Sequence, residues 1–266
     1  MTAGAHEAGL PGDATPSGVP RISLVIPAYN EKAYLPRLLD SVDAARRAYQ
    51  SGPDAVEVIV ADNVSTDTTA AIAAERGCVV ARVEKRDIGA VRNGGVAVAR
   101  AGILAFVDAD IPIHPDSFNV IEKTLANPGI VAGATGDRWE RMSFAIWITD
   151  FLTFPLARMG HFERGIVFCR RADFDAIGGF SEEKLFGEDI KFVRDLCAHG
   201  RRNGRKFARP RGARGVRSTR KMDKFGDWHL LKIILQASYR MTFSRRTLKA
   251  DREQFAKMYW YDDPKR

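Results

Sequence analysis

The strongest restriction on the fold is an alternation in the first half of the chain. Short β-branched runs recur at 22–26 (ISLVI), 56–61 (VEVIVA), 79–83 (VVARV) and 103–107 (ILAFV), with helical spacing between them. Leu35, Leu38, Leu39, Val42, Ala45 and Tyr49 fall on one helical face, and Pro36 sits in the first turn, where a missing N–H costs little. A second helix starts behind Ser65-Thr66-Asp67 and stops at Gly77, and a third runs from Ile88 to Arg100. Strands alternating with helices predict an α/β fold: a Rossmann-like, mostly parallel twisted sheet with helices on both faces and right-handed crossovers. Past residue 130 the pattern is less regular. It predicts strands at 130–135 and 165–169, helices at 144–156 and 188–199, and mostly loop over 201–221. A final helix over 223–243 would turn Trp228, Leu231, Ile234, Leu235 and Tyr239 toward the core.

Composition narrows the partners. The chain has 45% hydrophobic and 28% charged residues, ordinary values for a soluble globular protein, and a formal net charge of +8. The excess is local: Arg201 to Lys224 holds eleven Lys or Arg against one acid, Asp223, which points to anionic ligands. Cys78, Cys169 and Cys197 form no Cys-x-x-Cys pair, so neither a zinc site nor a disulfide framework is expected and a reducing cytoplasm fits. Residues 1–20 lack a basic start and an apolar block and read as a disordered leader, not a secretory signal. The most apolar stretch, SFAIWITDFLTFPLA from Ser143, is broken by Asp150 and is too short to span a bilayer.

In open sheets of this kind ligands bind beyond the carboxyl ends of the strands, where strand order reverses. Three polar clusters emerge there: Pro27-Ala28-Tyr29-Asn30-Glu31, Asp62-Asn63-Val64-Ser65-Thr66-Asp67 and Asp108-Ala109-Asp110. Paired carboxylates at a strand end are either an ordinary strand stop or hard ligands for a divalent cation. With 21 aspartates in the chain the spacing recurs by chance, and it does, at Asp173-Phe174-Asp175. That copy looks like a turn of surface helix with no strand before it, so it is set aside. The loop after the first strand has no Gly-x-Gly-x-x-Gly, which removes the dinucleotide fingerprint, and no Gly-rich Arg/Lys loop of the nucleotidyltransferase kind. Asp110, helped by Asp108, could hold a metal against a diphosphate. Asp62 can accept from a nucleobase N–H or serve a helix cap, and Arg92 can reach a phosphate or a carboxylate neighbour. Glu188 and Asp189 open a helix as dipole partners, or one of them takes a proton from an acceptor hydroxyl.

Together IPAYNE at 26–31, VADNVSTD at 60–67, GAVRNGG at 89–95, FVDAD at 106–110 and IGGFSEEKLFGED at 177–189 resemble the ordered signature of the family 2 glycosyltransferases with the GT-A fold. The resemblance covers about residues 21–195. It implies that Pro27, Tyr29 and Glu31 line a nucleotide pocket, that Asp62 contacts the base, and that Arg92 lies near the ribose and phosphates. Asp108 would lie near the ribose or the metal, and Asp110 would bind Mn²⁺ or Mg²⁺. Asp189 would be the catalytic base of an inverting transfer from a UDP or GDP sugar to a hydroxyl acceptor, with Glu188 beside it orienting that acceptor. Asp62-Asn63-Val64-Ser65 departs from the usual Asp-Asp-Gly-Ser but keeps the first acid. The Gln-x-x-Arg-Trp motif and membrane helices of processive synthases are absent. Arg217-Ser218-Thr219-Arg220-Lys221 resembles the Ser/Thr-x-Arg-Arg stretch of small soluble members, with Arg220 as a diphosphate clamp. The implied organisation is a leader (1–20), a transferase domain (21–222, with a nucleotide half to 110 and an acceptor half from 111) and a helical extension (223–266).

Two other readings compete. The basic 201–224 segment could bind a polyanion without catalysis, although its one aromatic, Phe207, argues against stacking on single strands, so no nucleic acid is expected. Alternatively the enzyme sits on a membrane. Phe144, Trp147, Ile148, Phe151 and Phe154, flanked by Arg138, Arg141 and Arg158, could meet a bilayer surface and a lipid-linked acceptor, placing the protein at the cytoplasmic membrane face.

Overall fold

The computed structural model describes residues 18–159, 163–182, 187–228 and 231–232, without the side chains of 153–159, 220 and 221. The leader to residue 17 and the extension from 233 lie outside the described residues. The four expected strands form at β1 (Ile22–Ala28), β2 (Val56–Asp62), β3 (Val79–Arg82) and β4 (Ile103–Phe106). Between them run α1 (Leu35–Ala48), α2 (Thr69–Glu75) and α3 (Ile88–Val98). These strands lie parallel in the order β3-β2-β1-β4, so β1 has β2 on one side and β4 on the other. That is the reversal point the alternation implied.

The second half holds α4 (Ser117–Ala126), β5 (Ile130–Ala134), β6 (Asp137–Trp139), α5 (Phe144–Met159), β7 (Val167–Arg170), α6 (Arg171–Ala176) and α7 (Glu188–Arg202). It closes with β8 (Lys206–Ala208), β9 (Gly215–Arg217) and α8 (Arg220–Phe225). β7 enters the sheet antiparallel between β4 and β5, giving the order β3-β2-β1-β4-β7-β5-β8, while β6 and β9 pair as a separate parallel ribbon. Because β7 runs backwards, its start faces the carboxyl end of β4, with Val167 opposite Phe106.

Strand alternation divides the core. Ile22, Leu24 and Ile26 of β1 pack with Leu35, Leu38 and Val42 of α1 and Phe118 and Ile121 of α4. Val25 faces the other side, with Val96 of α3, Phe192 and Leu196 of α7, and Phe174 and Phe180. Both faces are covered, as a parallel sheet requires.

Three expectations change. Asp173-Phe174-Asp175 does follow a strand, β7, and Asp173 and Phe174 are buried in α6 rather than on a surface helix. Since β7 is antiparallel, its end lies at the edge opposite the other three clusters, and Asp173 is taken up by Arg205 and His199. The C-terminal helix does not run from 223: α8 ends at Phe225, and Gly226, at φ 88, breaks it. Trp228 is consequently exposed and not packed on the core; Ile234, Leu235 and Tyr239 fall outside the described residues. α4 and β6 were not anticipated.

One buried polar cluster pins the amino edge of the sheet. Glu57 of β2 accepts from the Ser23 hydroxyl (2.5 Å), the Arg100 N–H (2.5 Å) and Arg100 Nε (2.9 Å). Burial alone would raise its pKa, but these donors outweigh it and hold the carboxyl below its ordinary value. A lowered carboxyl stabilises the fold above its unfolded pKa of about 4.3, and that stabilisation is lost as pH falls through the folded value. Glu57→Gln should therefore cost about 1–3 kcal/mol at pH 7. Urea titrations across pH should show the difference from wild type shrinking in acid.

Candidate active site

The carboxyl edge is assembled by cross-links between loops far apart in sequence. The Asn30 N–H donates to Ser65 Oγ (3.0 Å), the Thr66 N–H to Asn30 Oδ1 (2.8 Å) and the Glu31 N–H to Thr69 Oγ1 (2.8 Å). Asn63 Nδ2 donates to the carbonyls of Val83 and Lys85, fixing the end of β3 as well. These loops hold two non-glycine residues in the left-handed region, Asn30 at φ 53 and Val64 at φ 56. For β-branched Val64 this is a strained state, of the kind that clusters where a loop has a task beyond connection.

Pro27 is buried in β1 opposite Ala61. Tyr29 is half-buried, with the Arg86 guanidinium 4.9 Å from its ring centroid and donating to its hydroxyl (3.2 Å). Glu31 is buried. Asp62 is buried too, and one of its oxygens accepts the Ser65 N–H (3.2 Å), as an N-cap-like residue would. Its other oxygen, Oδ1, is buried with no hydrogen-bond partner among the described residues. A buried acceptor left without a donor is costly unless a ligand supplies one.

Arg92 is the hub of the other side. Its residue surface is 8% exposed, and α3 aims it across the sheet edge. Nη1 donates to Glu188 Oε1 (2.6 Å), Nη2 donates to Asp108 Oδ1 (3.0 Å), and the guanidinium carbon lies 5.2 Å from the Phe180 ring centroid. Burial opposes its charge, yet Asp108, Glu188 and Asp189 more than offset this, holding Arg92 protonated more firmly than an ordinary arginine. Two carboxylates thus take up the side chain that resemblance placed beside ribose and phosphates. Asn93, the next residue, grips the backbone of Phe180 at both N–H and C=O (2.9 Å each). Gly89 and Gly179 permit that contact: a Cβ on Gly89 would lie 2.5 Å from the Ser181 carbonyl, and one on Gly179 2.9 Å from Asn93.

Glu188 and Asp189 open α7 behind Gly187, which adopts a left-handed conformation at φ 79. Burial raises the proton affinity of both. For Glu188 the Arg92 charge opposes the rise and Asp189 adds to it; for Asp189, Arg92 opposes and Asp108 adds. Asp189 lines a cleft of about 430 Å³, including its open mouth, together with Arg92, Asp108, Glu163, Phe180 and Phe192. Glu163, which pairs with Arg209, was missed from sequence. Residues before a strand lie at the amino edge of a parallel sheet, and only the antiparallel course of β7 brings 163–165 to the cleft.

Asp108 and Asp110 both stand half-buried after β4, Asp108 with 45% of its side chain exposed. Among the described residues no three His, Cys, Asp or Glu converge as a self-sufficient metal cage. Two hard carboxylates at an open edge instead fit a cation of the Mg²⁺ or Mn²⁺ type, which takes one or two protein carboxylates and completes its shell with phosphate and water. Arg220 heads α8, and its side chain lies outside the described residues.

The family model described as glycosyl transferase family 2 matches residues 23–181, the span that carries every cluster above except the α7 acids. The chain belongs to glycosyl transferase family 2. This family 2 chain is 31% identical over 239 residues to a validoxylamine A glucosyltransferase of Streptomyces hygroscopicus subsp. limoneus, covering 74% of the chain and 51% of that protein. The chain thus spans about half the length of the curated relatives it matches. It superposes with a TM-score of 0.58 on a mannosyltransferase of Pyrobaculum calidifontis in complex with GDP-Man and Mn²⁺, at 21% identity over 76% of the chain and 57% of that one. The TM-score is 0.56 against a glucosyl-3-phosphoglycerate synthase of Mycobacterium tuberculosis in complex with Mn²⁺, UDP and glucosyl-3-phosphoglycerate, at 20% identity over 82% of the chain and 79% of that one. These likenesses establish the GT-A fold.

The Arg92 cluster makes a stability prediction. Arg92→Met leaves Glu188 buried without its cation, which should cost about 3–5 kcal/mol at neutral pH. Glu188 already binds its proton more tightly than usual, so the penalty fades below its folded pKa, where it is neutral. Denaturant unfolding should give a loss that grows from pH 4 to pH 8; a pH-independent loss would show that packing, not charge, makes Arg92 necessary.

Proposed function

We propose that the chain is an inverting glycosyltransferase, moving a sugar from a UDP or GDP sugar to a hydroxyl acceptor with the help of a divalent cation. The observation that carries this reading is Asp189: a carboxylate on the cleft wall beside Asp108, with its proton affinity raised by burial. A general base needs such a poise, able to hold a proton yet ionised at the working pH. In the proposed step the acceptor hydroxyl oxygen forms a bond to the anomeric carbon, and Asp189 takes its proton. The bond from that carbon to the diphosphate oxygen breaks, and the nucleoside diphosphate leaves with the electron pair. Attack from the face opposite the leaving group inverts the centre.

The remaining roles are those implied by the family resemblance. The unpartnered Asp62 Oδ1 suits a nucleobase N–H, and Pro27, Tyr29 and Glu31 would wall the same pocket. Asp110, with Asp108, would hold Mn²⁺ or Mg²⁺, which when bound neutralises the diphosphate charge. Glu188, fixed by Arg92, would set the orientation of its neighbour Asp189 and of the acceptor. Arg220 would close on the diphosphate. Residues 21–110 would form the nucleotide half and 111–222 the acceptor half.

Polyanion binding without catalysis is less well supported. Of the basic residues in 201–224, Arg205 is committed to Asp173, Arg209 to Glu163 and Arg217 to Asp137, leaving a weaker outward field than the composition implied.

Asp189→Asn tests the reading in two ways. It should abolish transfer while the protein still gains about 2.7 kcal/mol of stability from a nucleotide sugar at 100 times its dissociation constant. A carboxyl with raised folded pKa contributes stability that is present in acid and lost as pH rises through that value. The Asn variant should therefore melt higher than wild type at pH 7, with the gap closing toward pH 4. Retained transfer would remove Asp189 from the mechanism. In a second test, Asp110→Asn should abolish the Mn²⁺-dependent part of the thermal shift given by UDP or GDP.

A further inference from the structure

Seven exposed large apolar side chains gather in two short segments, 142–152 and 225–228: Met142, Phe144, Trp147, Phe151, Leu152, Phe225 and Trp228. In α5, Phe144, Trp147 and Phe151 are 69%, 51% and 65% exposed and stack on one another along the helix (centroids 6.2 and 5.7 Å apart). The opposite face carries the buried Ala145, Ile146 and Thr149, so the helix is packed on one side and aromatic on the other. The second segment adjoins the first. Arg141 pairs with Asp223 and Asp227, and Ser143 hydrogen-bonds to Asp227, which brings Trp228 to the start of α5.

We infer that this aromatic face is a docking surface for an anionic lipid bilayer. Three observations select that occupant. The exposed side chains are dominated by Phe and Trp, whose amphipathic rings suit the headgroup boundary. Neighbouring elements carry exposed cations: Arg138 on β6, which leads into α5, Arg214 ahead of β9, which pairs with β6, and Lys224 on α8, with the Lys224 amine 5.2 Å from the Phe225 ring centroid. The mixture of basic and aromatic groups is complementary to acidic headgroups over acyl chains. Finally, the aromatic rings run along one face of α5 while its other face is buried, so contact would lie in the interfacial plane.

The position of the helix gives the docking a use. Asp150 of α5 pairs with Arg164 at 2.6 Å, and the residues either side, Glu163 and Gly165, line the cleft that holds Asp189. A bilayer under α5 therefore stands next to the acceptor side of the cleft. Taken with the proposed transfer, on which this clause alone rests, the acceptor hydroxyl would be presented from the lipid surface.

The test is flotation of the full chain with vesicles of equal parts phosphatidylcholine and phosphatidylglycerol, and with phosphatidylcholine alone. Wild type should float with the anionic vesicles. W147E/F151E should lose about tenfold or more in bound fraction while keeping the wild-type melting temperature and its thermal shift with nucleoside diphosphate and Mn²⁺. R138Q/R214Q, which leaves the aromatic face intact, should lose the preference for anionic over neutral vesicles. The idea is overturned if wild type floats with neither vesicle, or if W147E/F151E floats as well as wild type. It is equally overturned if light scattering finds a dimer that W147E/F151E dissolves, which would assign the face to a second copy. Loss of the nucleotide shift in wild type would instead count against the transfer reading and leave the flotation result standing.

Discussion

A single buried guanidinium sets the terms for the whole carboxyl edge. Arg92 ties the end of β4, through Asp108, to the start of α7, through Glu188, so that groups separated by 16 and 96 residues share one cation. A lone buried carboxylate would shift its pKa until neutral. Here Arg92 keeps Glu188 ionisable, and Asn93, one step along the same helix, fixes the Phe180 backbone above it. Gly89 and Gly179 supply the close approach that makes this grip possible. GAVRNGG and IGGF are thus two halves of one clamp, which explains why neither could be assigned a purpose alone.

The charge balance of that edge explains its chemistry. Asp108, Glu188 and Asp189 stand around one guanidinium, an excess of carboxylate held in partly desolvated surroundings. Burial, and to a lesser degree repulsion between carboxylates, raises the proton affinity of the α7 acids, while Asp108 stays half-exposed. A divalent cation with a diphosphate would be drawn to such a field, because each carries charge the other lacks. On the far side of β1 the demand is different. There the strained Val64 loop and the unpartnered Asp62 oxygen offer a directional hydrogen-bond acceptor, suited to reading a base N–H rather than neutralising a phosphate.

How much of this was legible in the sequence depended on the range of the interactions. The β1 to β4 alternation is local, since strand period, helix period and caps are written within a dozen residues, and the rule for open sheets then placed the three acidic clusters on one edge. Strand direction is not local. Nothing in GIVFC states that β7 runs antiparallel, and that one reversal moved Asp173 to the wrong edge for chemistry and carried Glu163 to the right one. The partners of Arg92 were equally hidden, because a side chain that can reach a phosphate or a carboxylate does not announce which it will meet. At the C terminus the helical period continued through Gly226, and a left-handed glycine overruled it.

The α5 helix shows the limit of hydrophobicity as a guide to burial. From sequence, an aromatic-rich apolar helix is ordinarily assigned to the core, because apolar surface is costly in water. In the fold, Ala145, Ile146 and Thr149 already fill the inward face of α5. The rings of Phe144, Trp147 and Phe151 lie outside and stack against one another. Stacking shields part of each ring from water but leaves the outer edges bare, so their burial against a partner surface is still favourable. Apolar character alone thus does not decide which side of this helix faces in, and the fold leaves an aromatic face on a helix tied, through Asp150 and Arg164, to the segment that walls the cleft of Asp189.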